Sequence, residues 1–359
     1  MKIGIIGLPQ CGKTTVFDAI TGAESQVGSF AGPGNFNLAV LKVPDARLDF
    51  LQELYDSRKY VQATIEFMDV AGAFAAPTDA NAEPSSAIAA LREADAIAVV
   101  LRSFKDESVP RPDGGIDPRR DLAKIHSELI LTDLVGVEKR IEKLEKQVLR
   151  PTVRQKEDKA ELELMRRFKE TLDAERPLRE AAMSDEESKK TRSFGFLTLK
   201  PELCIVNVGE DELGRDDWAA ALGVPPERVV AMCGKVEMEL RALSPEERAE
   251  FMADMGIKNF SSDKVVSKGY ALLKLATFLT AGPTEVHAWT INEGDNAVTA
   301  AGKIHTDMAR GFIRAEVVAY DDLKQHGSMK EARAHGRVRL EGRDYVMKDG
   351  DVVEFRFNV

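Results

Sequence analysis

The sequence predicts an α/β fold: a mostly parallel sheet built around a phosphate-binding loop, with an inserted helical hairpin and a smaller α+β module at the C-terminus. Three observations predict it. Gly7-Leu8-Pro9-Gln10-Cys11-Gly12-Lys13-Thr14 reads G-x-x-x-x-G-K-[ST] between an apolar run and a helix-like segment. Several short apolar runs lack alternation, as expected of strands covered on both faces. A charge-dense stretch with few Gly or Pro residues carries a heptad seam.

Lys2-Ile3-Gly4-Ile5-Ile6 suits a buried strand and Thr15 to Ile20 continues as a helix. A strand feeding a Gly-rich turn and then a helix N-terminus makes an anion cradle: backbone N–H groups converge, the helix dipole adds partial positive charge, and Lys13 adds a full one. Thr14 is placed to offer its hydroxyl to Mg²⁺. With average glycine usage the bare pattern arises in about one chain in a hundred of this length, and the strand-before, helix-after context lowers that further.

Residues 28–37 form a loop in the place of a first nucleotide-sensing switch. Thr64 to Asp69 is a strand candidate ending in Asp69-Val70-Ala71-Gly72, a D-x-x-G about 55 residues beyond the phosphate loop. Asp69 would reach Mg²⁺, and the Gly72 N–H would touch a γ-phosphate. Residues 73–88 read as a second switch loop, and Ala96 to Leu101 as the next buried strand. Across 118–193, Leu134, Val137, Ile141, Leu144 and Val148 recur at spacings of three and four, Pro151 breaks the run, and Leu164, Phe168 and Leu172 form a second stripe. These predict an antiparallel helical hairpin whose bend carries Lys139, Arg140, Lys143, Lys146, Arg150, Arg154 and Lys156. A solvated face and an RNA or ribosome contact are both compatible with those charges. Strands return at Leu203–Asn207 and Arg228–Cys233, and 236–279 read as closing helices. From Thr284 short strands surround one main helix near 299–304. The expected division is 1–130 with 194–280 as the nucleotide-binding domain, 131–193 as the hairpin and 281–359 as the last module.

The apolar share of 43%, the charged share of 31% and the formal net charge of −10 describe a globular chain that is not a bulk nucleic-acid binder. No apolar run reaches the ~20 residues of a membrane span. The first residues lack signal-peptide features, and Cys11, Cys204 and Cys233 form no metal or disulfide pattern, so the expected location is cytoplasmic. Cys11 could gain thiolate character from Lys13 and the helix N-terminus; a small loop filler is the simpler reading.

Together these residues resemble the YchF/Obg-like ATPases of the translation-factor class of P-loop NTPases over nearly the whole chain. The resemblance rests on Gly7–Thr14, Asp69–Gly72, the hairpin, Asn207-Val208-Gly209-Glu210 as an N-x-x-E base motif, and the C-terminal runs Ile304–Asp307, Gly311–Val317, Arg339–Gly342 and Phe355–Val359. It implies a ubiquitin-like (β-grasp) TGS domain at 281–359. It also implies ATP rather than GTP with Mg²⁺, a ribosomal RNA or protein partner, and a monomer. Pro9, Gln10, Cys11, Gly12, Lys13, Thr14, Thr15, Asn207, Val208, Glu210, Cys233 and Gly234 would hold the nucleotide, Thr14 and Asp69 the metal, and Lys13 and Gly72 would act on the transferred phosphoryl. Glu210 stands where N-K-x-D GTPases carry the Asp that reads guanine, and Val208 replaces the Lys beside the phosphate loop, which relaxes or inverts guanine selectivity.

The chain also departs from the family. It has no Thr between Ala23 and Ala63, Gln10 in place of the loop Asn, and no Gly between positions 73 and 113. These departures keep nucleotide binding and predict an altered switch region. Three readings follow: a slow ATPase switch, a nucleotide-binding adaptor with negligible turnover, and a GTPase.

Overall fold

The structure, a computed structural model, describes residues 1–22, 30–32, 36–70, 86–110, 114–151 and 153–358, with backbone alone at 30–32. The chain forms two compact units, one of Met1–Ala39 with Glu66–Val265 and one of Val40–Ile65 with Val266–Val359. It opens with β1 (Lys2–Gly7), α1 (Lys13–Thr21), β2 (Phe30–Gly32) and β3 (Phe36–Lys42), then supplies α2 (Ala46–Tyr55) and β4 (Lys59–Val61) to the second unit. It returns with β5 (Thr64–Asp69), α3 (Ser86–Glu93), β6 (Ala96–Arg102), α4 (Pro118–Val148), α5 (Gln155–Asp173), α6 (Asp185–Thr191), β7 (Glu202–Asn207), α7 (Trp218–Leu222), β8 (Val229–Met232), α8 (Gly234–Ala242), α9 (Pro245–Asp254) and α10 (Ser261–Leu272). The rest is β9 (Leu275–Ala281), β10 (Glu285–Asn292), α11 (Ala297–Ile304), α12 (Thr306–Arg310), β11 (Phe312–Ala319), α13 (Tyr320–His326), α14 (Met329–Ala334), β12 (Arg339–Glu341) and β13 (Asp351–Phe357).

The first unit is built on a seven-stranded sheet of order β2-β3-β5-β1-β6-β7-β8. β1 runs parallel to both β5 and β6, β6 to β7, and β7 to β8. Every residue of β6 and β7 is buried, the signature of strands sandwiched between helices. The chain passes to β5 on one side of β1 and then to β6 on the other, so the order reverses at β1. The carboxyl end of such a strand is where α/β sheets hold ligands, and there Gly7 meets the phosphate loop.

The hairpin is α4 packed on α5. Asp117 caps α4 by accepting from the Arg120 N–H, with Pro118 in the first turn. Val137 and Leu144 of the heptad seam are fully buried, Leu134, Ile141 and Val148 partly so, and the expected second stripe of Leu164, Phe168 and Leu172 lies in the same core. Arg140, expected on an exposed face around the bend, is half-buried. Its Nε donates to Glu161 across the two helices at 2.5 Å, because the seam brings those two positions opposite one another.

At the root of the hairpin the buried carboxylate of Asp133 accepts from the Leu197 N–H at 2.9 Å, the Thr198 N–H at 2.7 Å and the Thr198 hydroxyl at 2.7 Å. Thr198 Oγ1 accepts in turn from the Leu178 N–H. One side chain of α4 thereby fastens the segment that leads back into β7.

The second unit holds a mixed sheet of order β12-β11-β13-β9-β10-β4. α11 packs on its Phe278, Ile291 and Phe355 face. Three expectations change here. Residues 275–279, read as helix, lie in strand β9. Lys274 at φ 51° ends the preceding helical turn, and the β-branched and aromatic run that follows pairs antiparallel with β10. Residues 40–65 belong with this unit, since Leu48 and Leu51 of α2 are fully buried and β4 pairs with β10. Four helices stand where one main helix was expected.

In the first unit, Ser86, Ala87 and Ile88 begin α3 instead of ending a loop, and residues 30–32 and 36–37 lie in β2 and β3. The remaining positions of both expected switch loops, 28–29, 33–35 and 73–85, fall outside the described residues.

Candidate functional site

Two glycines fix the path of the phosphate loop. A Cβ on Gly7 would stand 2.5 Å from Cys11 Sγ and 2.8 Å from the Val100 carbonyl. Gly12 sits at φ 79°, in the left-handed region, and a Cβ there would run into Asn207 Nδ2. Gln10 also adopts positive φ, at 64°. Pro9 and Gln10 are exposed, and α1 starts at Lys13 with no side-chain cap and no acid in its first turn. Its first N–H groups are thus left to an anion.

Lys13 reaches across to the Asp69 carboxylate and forms an ion pair. Asp69 closes β5 directly beside the carboxyl end of β1, opposite Ile5 in the register. Thr14 is exposed and Thr15 half-buried. A hard divalent cation prefers oxygen donors, and the Thr14 hydroxyl and the Asp69 carboxylate are of that kind. Gly72, and Ala71 before it, lie outside the described residues.

Burial decides the character of Cys11. The residue is 4% exposed, and desolvation pushes its thiol up to about 11, outweighing Lys13 and the local backbone N–H groups that favour the thiolate. The structure therefore supports the loop-filler reading. Burial also raises Cys204 and Cys233. The native chain should resist iodoacetamide at about pH 7.5 while the denatured chain takes label at all three cysteines. Labelling of Cys11 would begin only as the pH nears its raised value, and rapid alkylation of native Cys11 at neutral pH would contradict this account.

The amide of Asn207, a residue expected to contact nucleotide, bonds to two backbone groups of the chain. Its Nδ2 donates to the Cys11 carbonyl at 3.2 Å and its Oδ1 accepts from the Gly234 N–H at 3.2 Å. Its main-chain carbonyl accepts from Ser103 and Phe104 at 2.9 and 3.1 Å. One buried residue at the end of β7 therefore ties together the phosphate loop, the loop after β6 and the start of α8.

Gly234 packs against this amide and against Thr15 and Val16 of α1. Val208 and Cys233 are buried beside it, whereas Glu210 is exposed at the start of a 3₁₀ turn, Glu210–Glu212. The expected loop and base-motif residues thus gather at one end of the sheet, with Glu210 at the solvent margin.

Sequence reasoning missed four neighbours. Phe104 lies by Gly12, with its ring edge 3.3 Å from where a Cβ would be. Arg102, 3% exposed, lays its guanidinium over the Phe104 ring at 4.5 Å and donates to the Phe104 and Pro110 carbonyls. Ser103 donates to Glu212 at 2.5 Å, which occupies that carboxylate. The available signal was positional: residues just past the carboxyl end of a central parallel strand face the ligand crevice.

A family model described as 50S ribosome-binding GTPase matches residues 2–129, and a model of the C-terminal region of YchF GTPases, described as a protein of unknown function, matches residues 275–358. The chain is 40% identical to the ribosome-binding ATPase YchF of Bacillus subtilis, over 100% of both chains. It is 39% identical to that of Haemophilus influenzae, over 100% of this chain and 99% of the relative. Obg-like ATPase 1 of Bos taurus is 34% identical, over 100% and 92%. The solved structure of the Schizosaccharomyces pombe YchF GTPase is similar at a TM-score of 0.86 and 31% identity, covering 99% of this chain and 97% of that one.

Proposed function

This chain belongs to the YchF family of P-loop NTPases, and from that premise we propose that it is a slow, Mg²⁺-dependent ATPase acting as a conformational switch on the ribosome. The observation that carries the reading is the convergence of an uncapped helix N-terminus, Lys13 and Asp69 at the crevice of the parallel sheet. Backbone N–H groups of Pro9 to Thr15 (Pro9 itself lacking one), with the Lys13 ammonium, would bind the phosphates. Thr14 and Asp69 would hold the metal, and Gly72 would meet the γ-phosphate. Bound Mg²⁺ supplies neutralisation of charge on the transferred phosphoryl. Asn207 holds the base loop against the phosphate loop, and Val208, Glu210, Cys233 and Gly234 would face the base.

The absence of an Asp at the guanine-reading position favours adenine. A second reading, GTP, draws on the naming of the fission-yeast relative as a GTPase. Residues 131–193 serve in this proposal as the ribosome-facing hairpin and 281–359 as a TGS module, in a cytoplasmic monomer. Among the described residues no helix is long and apolar enough to cross a membrane.

Single-turnover hydrolysis with Mg²⁺, with and without ribosomes, tests the enzyme. Phosphate release should exceed that of Lys13→Ala and rise with ribosomes. Release equal to that control would leave only a nucleotide-binding adaptor. Calorimetric titration of ATP and GTP analogues settles the base, and guanine binding about tenfold tighter, or about 1.4 kcal/mol, would reverse the choice. Ribosome association through the hairpin should weaken with salt; salt-independent association would exclude that surface.

A further inference from the structure

At the end of the first unit's sheet away from the phosphate loop lies a cleft of about 570 Å³, lined by Ala89, Arg92, Glu93, Arg192, Ser193, Phe194 and Gly195. Its place in the fold is set by the short link from α3 to β6. Arg92 lies in the last turn of α3, and Asp95 just after it donates its N–H to the Lys2 carbonyl at the start of β1. Gly7, where the phosphate loop begins, is at the other end of that strand, about 16 Å away at the usual rise per residue. The cleft is therefore separate from the nucleotide crevice.

Two arginines face this cleft without partners. Arg92 Nε is buried and has no hydrogen-bond partner. Arg192 is exposed, so its guanidinium is hydrated, and among the described residues neither it nor the Arg92 guanidinium forms an ion pair. An unsatisfied buried donor is uncommon in folded proteins and calls for an explanation. Burial pushes the Asp133 carboxyl up against the opposing pull of the Thr198 and Leu197 hydrogen bonds and of the Arg92 charge, and its carboxylate accepts from Leu197 and Thr198, not from Arg92. Glu93 also lines the cleft and does not pair with either arginine. Two guanidiniums against one carboxylate leave the lining positive.

The backbone is held for this arrangement. Gly195 adopts φ 61°, and a Cβ there would stand 3.1 Å from both Cβ and the carbonyl oxygen of Arg92. The root of the hairpin thus closes directly on the last turn of α3. Lys200 secures the same turn by donating to the Arg92 carbonyl at 2.9 Å. Ser193 donates to the Lys190 carbonyl and keeps its oxygen lone pairs free to accept. Ala89 and Phe194 supply an apolar wall, and the volume lies in the range that holds a small metabolite.

We propose that this cleft binds a small phosphorylated molecule, its phosphomonoester held by Arg92 and Arg192. Planar guanidinium forks match phosphate oxygens, and a dianionic monoester satisfies two of them better than a singly charged diester does. An occupant would bridge the end of α3 and the root of the hairpin.

The test is calorimetric titration of the full-length chain with ribose 5-phosphate, with 5′-AMP, with inorganic phosphate and with a ten-nucleotide RNA bearing a 5′-hydroxyl. Wild type, Arg92→Gln, Arg192→Gln, Glu93→Gln and Lys13→Ala are compared. Binding of ribose 5-phosphate should persist in Lys13→Ala, weaken about tenfold or more in each arginine variant, and tighten in Glu93→Gln. Arg192 is exposed, so its variant decides the matter should Arg92→Gln not fold. Loss of all binding in Lys13→Ala, or affinity indifferent to both arginines, would overturn the proposal. So would binding confined to a ten-nucleotide RNA with a 5′-hydroxyl, which would assign the cleft to an RNA backbone.

Discussion

Asn207→Ala should destabilise the first unit by about 2–4 kcal/mol and weaken nucleotide binding by more than an order of magnitude. The side chain donates to the Cys11 carbonyl and accepts from the Gly234 N–H, in a site 4% exposed to solvent. Truncation leaves both groups buried and unpaired, and each orphan costs about 1–3 kcal/mol. The same change removes the clasp that holds Gly12 at its left-handed backbone conformation.

Asn207→Asp separates the two contributions. It keeps an acceptor for Gly234 and places a carboxylate against the Cys11 carbonyl, beside the phosphate site. It should be no more stable than the alanine variant, because the carboxylate is buried against a carbonyl oxygen, and should bind triphosphate no better. Urea denaturation with calorimetry on the three proteins checks this. An alanine variant with wild-type stability and affinity would remove Asn207 from the account.

The second large effect falls on Asp133. Asp133→Ala should cost about 3–5 kcal/mol, because a buried charged acceptor is lost and its donors remain. The Leu197 and Thr198 N–H groups stay buried, and the Thr198 hydroxyl loses the partner that orients it toward Leu178. The loss should be concentrated at the hairpin root, so amide exchange at Leu178, Leu197 and Thr198 should rise sharply. A variant within about 1 kcal/mol of wild type in urea, with unchanged exchange there, would show that the clamp is ornamental.

Local chemistry made much of the fold and of the site legible in the sequence. The phosphate loop is encoded within eight consecutive residues, and the heptad seam from Leu134 to Val148 needs only periodicity. β1, β6, β7 and β8 are each marked by an apolar run, and β5 by the D-x-x-G that ends it. What escaped was set by distant partners. Residues 46–61 carry a weak local pattern, and their place depends on pairing between β4 and β10 more than two hundred positions later. β9 looked like the end of a helical stretch because one of its two pairing partners is β13, at the far end of the chain.

The roles of Asn207 and Arg102 were hidden for the same reason. A motif places an amide or a guanidinium at a strand end without saying which carbonyls it will find there. Cys11 was a contest between charge proximity and desolvation, and only burial could decide it.

The excursion of residues 40–65 has a practical corollary for anyone dissecting this protein by truncation. A recombinant tail starting at Leu275, the span matched by the C-terminal family model, would lack α2 and β4. Val286 and Leu279, which are fully enclosed in the intact chain, would lose that cover, and β10 would present a raw hydrogen-bonding edge of the kind that recruits other strands. Such a piece should clump unless the 40–65 peptide is co-expressed to complete it.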